Sequence, residues 1–181
     1  MKTALVLFAE GSEELEAVTI VNILRRGGVS VSLAGLTSGA LRGSRGITLQ
    51  PDTTLDAALN NIEFDMVVLP GRQPGTNHLK ADARVLQLVK KMNAQGKYVT
   101  AICAAPSVLA TAGLLDGKRA TSFPPCLDNF PNVDLQAAAV VEDGKLITSR
   151  GPGTAMDFAL TLLERLVGAA KRVEVEAGLV R

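Results

Sequence analysis

Tryptophan is absent from this chain, tyrosine and histidine occur once each, and cysteine occurs twice. One imidazole cannot complete a metal shell with scattered thiols and acids, so no metal site is expected. With aromatics at 3% and a formal net charge of +1, the sequence offers neither stacking platforms nor a field for nucleic acid or an anionic membrane surface. Long apolar runs are lacking too. The stretch from Ala4 to Ala9 stops at Glu10, short of a signal-peptide core or a membrane span. Two thiols without a secretory start predict a cytoplasmic, reducing location. No Walker-type loop occurs, and around Gly151-Pro152-Gly153 the spacing of a dinucleotide fingerprint fails. No cofactor is expected.

What the chain does have is apolar content, 47% over 181 residues, enough to bury one sizeable core. No Pro/Ser-rich linker divides it, and residues 1–181 read as one domain. Apolar runs alternate with helical periodicity. Thr3 to Phe8, Val29 to Ala34, Asp65 to Leu69 and Tyr98 to Ile102 read as strands. Ser12 is placed to cap a helix carrying Ala17, Ile20, Val21 and Leu24, which Arg25-Arg26-Gly27-Gly28 ends. Residues 40 to 50 predict a short hairpin or excursion, with Gly43 and Gly46 as turns. Asp82 to Gln95 reads as an amphipathic helix, and a shorter one runs from Pro106 to about Ala112. Glu142-Asp143-Gly144 marks a second hairpin between Val140-Val141 and Lys145 to Ser149. Gly153 to Val167 and a segment from Ala169 are helical. Repeated β-α units predict an α/β fold, a mostly parallel doubly wound sheet with helices on both faces. Ligands in such folds bind beyond the carboxyl ends of the strands.

The segment Val99-Thr100-Ala101-Ile102-Cys103-Ala104-Ala105-Pro106 carries the chemistry. A strand runs into a cysteine, two small residues and a proline suited to the first turn of a helix. That order predicts a nucleophile elbow, with the thiol raised above the sheet edge at a helix start that favours the thiolate. A cysteine here serves either that role or that of a small buried apolar residue. After the first strand come Glu13, Glu14 and Glu16. The first two suit a helix N-terminus electrostatically. Glu16 falls on the flank of Ala17 and Ile20, where a protonated carboxyl can donate a hydrogen bond to the elbow sulfur. Pro70-Gly71-Arg72-Gln73-Pro74-Gly75-Thr76 is either an ordinary turn or a loop whose N–H groups join that of Ala104 in an oxyanion site. His78 reads as a surface or loop residue, and Cys126 as structural or else a resolving thiol.

These stretches, with Gly11-Ser12-Glu13-Glu14-Leu15-Glu16-Ala17-Val18, Val67-Val68-Leu69-Pro70-Gly71 and Thr148-Ser149-Arg150-Gly151-Pro152-Gly153-Thr154, occur in the order of one family across nearly the whole chain. The sequence resembles the ThiJ/PfpI superfamily, in the branch of the Parkinsonism-associated protein deglycase and its YajL-like bacterial relatives. The resemblance implies a flavodoxin-like three-layer sandwich and a homodimer. It implies Cys103 as the reactive cysteine, Glu16 as its protonated partner, and an anion pocket of Gly71, Arg72 and Ala104. Arg26 and Arg45 match arginines near that pocket or the dimer seam. Three positions depart from the pattern. Ala104 stands where the protease-like branch has histidine, which removes the base of a Cys-His peptidase. Phe123 stands where animal members carry histidine, and Arg72 replaces a usual second glycine.

The function implied is a cofactor-independent glyoxalase or deglycase acting on small reactive aldehydes or glycated side chains. Cys103 would form a hemithioacetal and Glu16 would shuttle the proton. The alternative is a redox-sensing stress protein or chaperone whose Cys103 oxidises to the sulfinate.

Overall fold

The computed structural model describes residues 1–61 and 63–181. In chain order the elements are β1 (Thr3–Phe8), α1 (Glu14–Arg26), β2 (Ser30–Gly35), β3 (Leu41–Arg42), β4 (Thr48–Leu49), β5 (Thr53–Thr54), α2 (Leu55–Asn61), β6 (Met66–Leu69), α3 (Gly75–Ala81) and α4 (Ala83–Ala94). There follow β7 (Tyr98–Ile102), α5 (Pro106–Thr111), β8 (Arg119–Ala120), β9 (Asp134–Leu135), β10 (Val140–Asp143), β11 (Leu146–Ser149), α6 (Ala155–Val167) and α7 (Ala169–Ala177).

Seven strands form the central sheet in the order β10-β11-β7-β6-β1-β2-β5. Every neighbouring pair is parallel except β10 with β11, the predicted hairpin. Alternate residues of each strand feed the two cores. Leu5, Leu7, Val67, Leu69, Val99 and Ala101 share one with α4 and α5, whereas Ala4, Val6, Met66, Val68 and Ile102 share the other with α1 and α6. Both faces are covered, so the central strands β1 and β6 are near-continuous apolar runs rather than alternating. The arrangement is the expected flavodoxin-like sandwich. Among the described residues no helix is long and apolar enough to cross a membrane.

Two local expectations fail. Ser12 does not cap α1: its hydroxyl accepts the Ala9 N–H at 3.2 Å. The cap position is Glu13, which makes no side-chain cap bond. The hydroxyl is 0% exposed and closes the turn leaving β1 before α1 begins. The Pro70–Thr76 loop also runs into a helix, α3, that its Pro-Gly content hid.

The chain leaves β1 toward β2 on one side and later returns to β6 on the other, which puts the topological switch point between β1 and β6. The loop into α1 and the loop after β6 meet there. Cys103 follows β7, whose Ala101 pairs with Leu69 of β6, so the elbow stands beside that crevice.

Candidate active site

Cys103 occupies the left-handed region at φ 64. Such a conformation costs a non-glycine residue about 1–3 kcal/mol and persists where its surroundings fix it. Here its N–H donates to the Ser149 carbonyl at 3.0 Å and its carbonyl accepts the Phe123 N–H at 2.8 Å. Ala105 precedes α5, which Pro106 opens. The elbow is therefore present, but its thiol is not raised into solvent: Cys103 is 4% exposed. The reason is Gly71, whose backbone lies against the elbow. A Cβ at position 71 would fall 2.6 Å from Cys103 Cβ and 2.7 Å from the Ala104 nitrogen. Only hydrogen fits.

Glu16 sits in the first turn of α1, 0% exposed, on the inward flank with Ala17 and Ile20. Its Oε2 accepts the Gly71 N–H at 2.8 Å. Its Oε1 is buried without a hydrogen bond of regular geometry, and the Cys103 thiol is the polar side chain close enough to stabilise it. The donors of the expected anion pocket are divided between the two groups. The Gly71 N–H is spent on orienting Glu16, while the N–H groups of Arg72 and Ala104 favour negative charge on the sulfur. Arg72 also adopts a left-handed φ of 74, where the family pattern has glycine, and its cation favours the ionised form of Glu16.

Electrostatics couple the two groups. Burial raises the Glu16 carboxyl to about 7, against the Gly71 N–H, the thiol and Arg72; Glu13 adds to the rise. Burial, and then the charge on Glu16, push the Cys103 thiol up to about 12, against the two backbone donors. The helix start therefore favours a thiolate only when Glu16 carries a proton. That removes the like charge and puts an O–H donor beside the sulfur. As pH rises through about 7 the pair loses its first proton, and the one that remains is shared between a carboxyl oxygen and a sulfur.

The neighbouring acids do something the sequence did not reveal. Glu14 Oε1 accepts the N–H groups of Arg45 at 2.8 Å and Ile47 at 3.3 Å, tying down the β3–β4 hairpin. The Ser44 hydroxyl lies 3.1 Å from Glu13 Oε2 and 3.2 Å from Glu14 Oε2, with one proton to give. Burial works against the charge on Glu14, but its own N–H, those of Ile47 and Arg45, and the Ser44 hydroxyl outweigh it and hold its carboxyl below the usual range. The one sequence signal was the turn-forming Gly43-Ser44-Arg45-Gly46 following an acid-rich helix start.

The remaining candidates lie apart. Arg26 is exposed in the last turn of α1, about 15 Å along the helix from Glu16, and its Nε donates to Asn22 Oδ1 at 2.8 Å. Arg45 is exposed on the hairpin. His78 is exposed on α3, its Nδ1 3.0 Å from the Glu10 carbonyl. Cys126 is half-buried and free, its N–H donating to the Phe123 carbonyl at 2.9 Å.

Residues 2–165 match the model of the DJ-1/PfpI family. The chain belongs to that family. Protein dj-1beta of Drosophila melanogaster is 44% identical over 184 residues, covering 99% of this chain and 97% of that protein. Its crystal structure superposes with a TM-score of 0.95 at 43% identity, over 99% of this chain and 97% of that chain. The structure of oxidised DJ-1 from Toxoplasma gondii gives the same TM-score of 0.95 at 36% identity, over 99% and 98% of the two chains. A Pyrococcus abyssi protein named a deglycase is 36% identical over 152 residues, covering 82% of this chain and 90% of that one. Family membership and the flavodoxin-like fold are thus established from sequence and structure together.

Proposed function

We propose that this protein converts small α-oxoaldehydes such as methylglyoxal and glyoxal, or their early adducts on amines and thiols, to 2-hydroxy acids without a cofactor. The observation that carries the reading is the buried Glu16–Cys103 pair, with two backbone N–H groups turned to the sulfur. As Glu16 holds the thiol proton, the sulfur adds to the aldehyde carbon of methylglyoxal, and the proton passes to the new oxyanion. The N–H groups of Arg72 and Ala104 lie beside that oxygen as it forms. Glu16, again a carboxylate, takes the hydrogen from the former aldehyde carbon as a proton and delivers it to the neighbouring carbon, while the hydroxyl proton on the former aldehyde oxygen passes to the former ketone oxygen. One carbon is oxidised and the other reduced, so no external redox partner is required. The resulting thioester is hydrolysed by water, releasing lactate and the free thiol. A carboxyl near 7 suits both directions of proton transfer at neutral pH.

The test is carbon-13 NMR of the wild-type protein with methylglyoxal and no added thiol. Lactate that accumulates with many turnovers per protein is the expected result. The same donors around the sulfur favour a second reading, a sulfinate sensor, since they would stabilise oxygens added to Cys103. Methylglyoxal left unconverted, together with selective gain of two oxygens at Cys103 in dilute peroxide, replaces the first reading with the second. Two free thiols fit the reducing cytoplasm.

We also propose that the protein is a homodimer. Leu15 at 50%, Val18 at 48% and Ile47 at 58% exposure form an apolar face on α1 and the hairpin. It borders a groove of about 560 Å³ lined by Val18, Val21, Leu33 and Leu49 with Arg25 and Arg26. An exposed apolar patch of this kind marks an association surface, and a second copy places Arg26 and Arg45 at the seam. Sedimentation equilibrium should give twice the chain mass at micromolar concentration; a monomer throughout would rule the face out.

A further inference from the structure

We infer that Phe123 is a specificity-determining residue, forming an apolar wall beside Cys103 that favours aldehydes bearing an aryl or large alkyl group over methylglyoxal. The inference rests on the reading of Cys103 as the atom that adds to the carbonyl.

Phe123 is 47% exposed, whereas Phe8, Phe64 and Phe158 are buried in the cores. Its backbone is pinned to the elbow, with its N–H on the Cys103 carbonyl at 2.8 Å and its carbonyl accepting the Cys126 N–H at 2.9 Å. The ring packs on Gly151. A Cβ there would lie 3.2 Å from Phe123 Cδ2 and 4.0 Å from Cε2. Gly151 has φ 168, extended backbone open to any residue, so it is the ring that needs the missing side chain. Thr154 Oγ1 accepts the Gly151 N–H at 3.1 Å and fixes the turn beneath the ring. An aromatic side chain is thus held half in solvent with its position set from two sides.

Its place relative to the chemistry follows from the sheet. β7 lies between β6 and β11. Cys103 Cβ approaches Gly71 on the β6 side, and the ring stands over Gly151 on the β11 side. Ala104, next after Cys103, carries only a methyl group and is buried. A substituent carried by the carbonyl away from Gly71 therefore lies toward the ring. Methyl is too short to gain from that contact, while a phenyl group stacks or packs edge-on.

The experiment compares phenylglyoxal with methylglyoxal in wild type, Phe123→Ala and Phe123→Tyr. In Phe123→Ala the phenylglyoxal-to-methylglyoxal ratio of kcat/KM should fall about tenfold, chiefly through KM, and Phe123→Tyr should restore most of it. In parallel, mass spectrometry follows alkylation of Cys103 by 2-iodo-N-phenylacetamide and by iodoacetamide, which needs no turnover. That rate ratio should also fall in Phe123→Ala and recover in Phe123→Tyr. Unchanged ratios in Phe123→Ala overturn the inference. If the wild type converts neither aldehyde, the enzymatic reading fails and the alkylation ratio alone decides the role of Phe123.

Discussion

Cys103→Ser should abolish lactate formation from methylglyoxal, by a factor on the order of 10⁴ or more. The exchange is nearly isosteric, and the backbone bonds that hold the elbow, to Ser149 and Phe123, do not involve the side chain. What changes is acidity. Glu16, raised to about 7, can take a proton from a thiol as the sulfur attacks, but a hydroxyl is far less acidic and no imidazole stands at the site to help. His78 is bound to the Glu10 carbonyl on α3 and Ala104 follows the nucleophile. A serine protein that keeps more than a hundredth of wild-type kcat, measured by NMR after removal of contaminating thiols, would separate the reaction from this sulfur.

Glu16→Gln is the second large effect, with kcat expected to fall 10²–10⁴-fold. The amide oxygen can still accept the Gly71 N–H, so the loop after β6 keeps its place. The proton relay is lost. At the same time the thiol should become more acidic, because the neighbouring carboxylate that pushes it up is gone and an amide N–H can face the sulfur. Slower turnover with a lower thiolate midpoint in ultraviolet titration is the expected signature, read on a variant whose circular dichroism matches wild type, because unfolding alone would also release the thiol from burial. A higher midpoint would overturn the arrangement. Stability gives an independent check. Glu16 binds its proton more tightly folded than unfolded, with a pKa raised from 4.5 to about 7. Its stabilising contribution is complete below 4.5 and is lost as pH rises toward 7. The glutamine protein should lack that decline, so its stability relative to wild type should grow across the window in urea titrations.

Much of this was legible in the chain. Continuous apolar runs such as Thr3–Phe8 announce strands covered on both faces, and the order of strand, cysteine, small residues and proline announces the elbow. Glu16 could be set apart from Glu13 and Glu14 because helical spacing puts it with Ala17 and Ile20. Pairing between distant atoms could not be read. Nothing local says that the Gly71 N–H goes to Glu16 rather than to a ligand, or that Glu14 holds the N–H groups of residues 45 and 47. Burial of the thiol also escaped, because it depends on how closely the Gly71 backbone meets the elbow. Two-residue strands such as β5, β8 and β9 leave no periodicity to detect.

The first two turns of α1 present two opposite faces: Glu16 and Ile20 look inward, Leu15 and Val18 outward. On the mechanism proposed above, one rod of backbone connects the proton carrier to the surface that a second copy would grip. A tilt imposed from outside would be felt at the sulfur, and pairing and reactivity cannot be tuned separately by moving that rod.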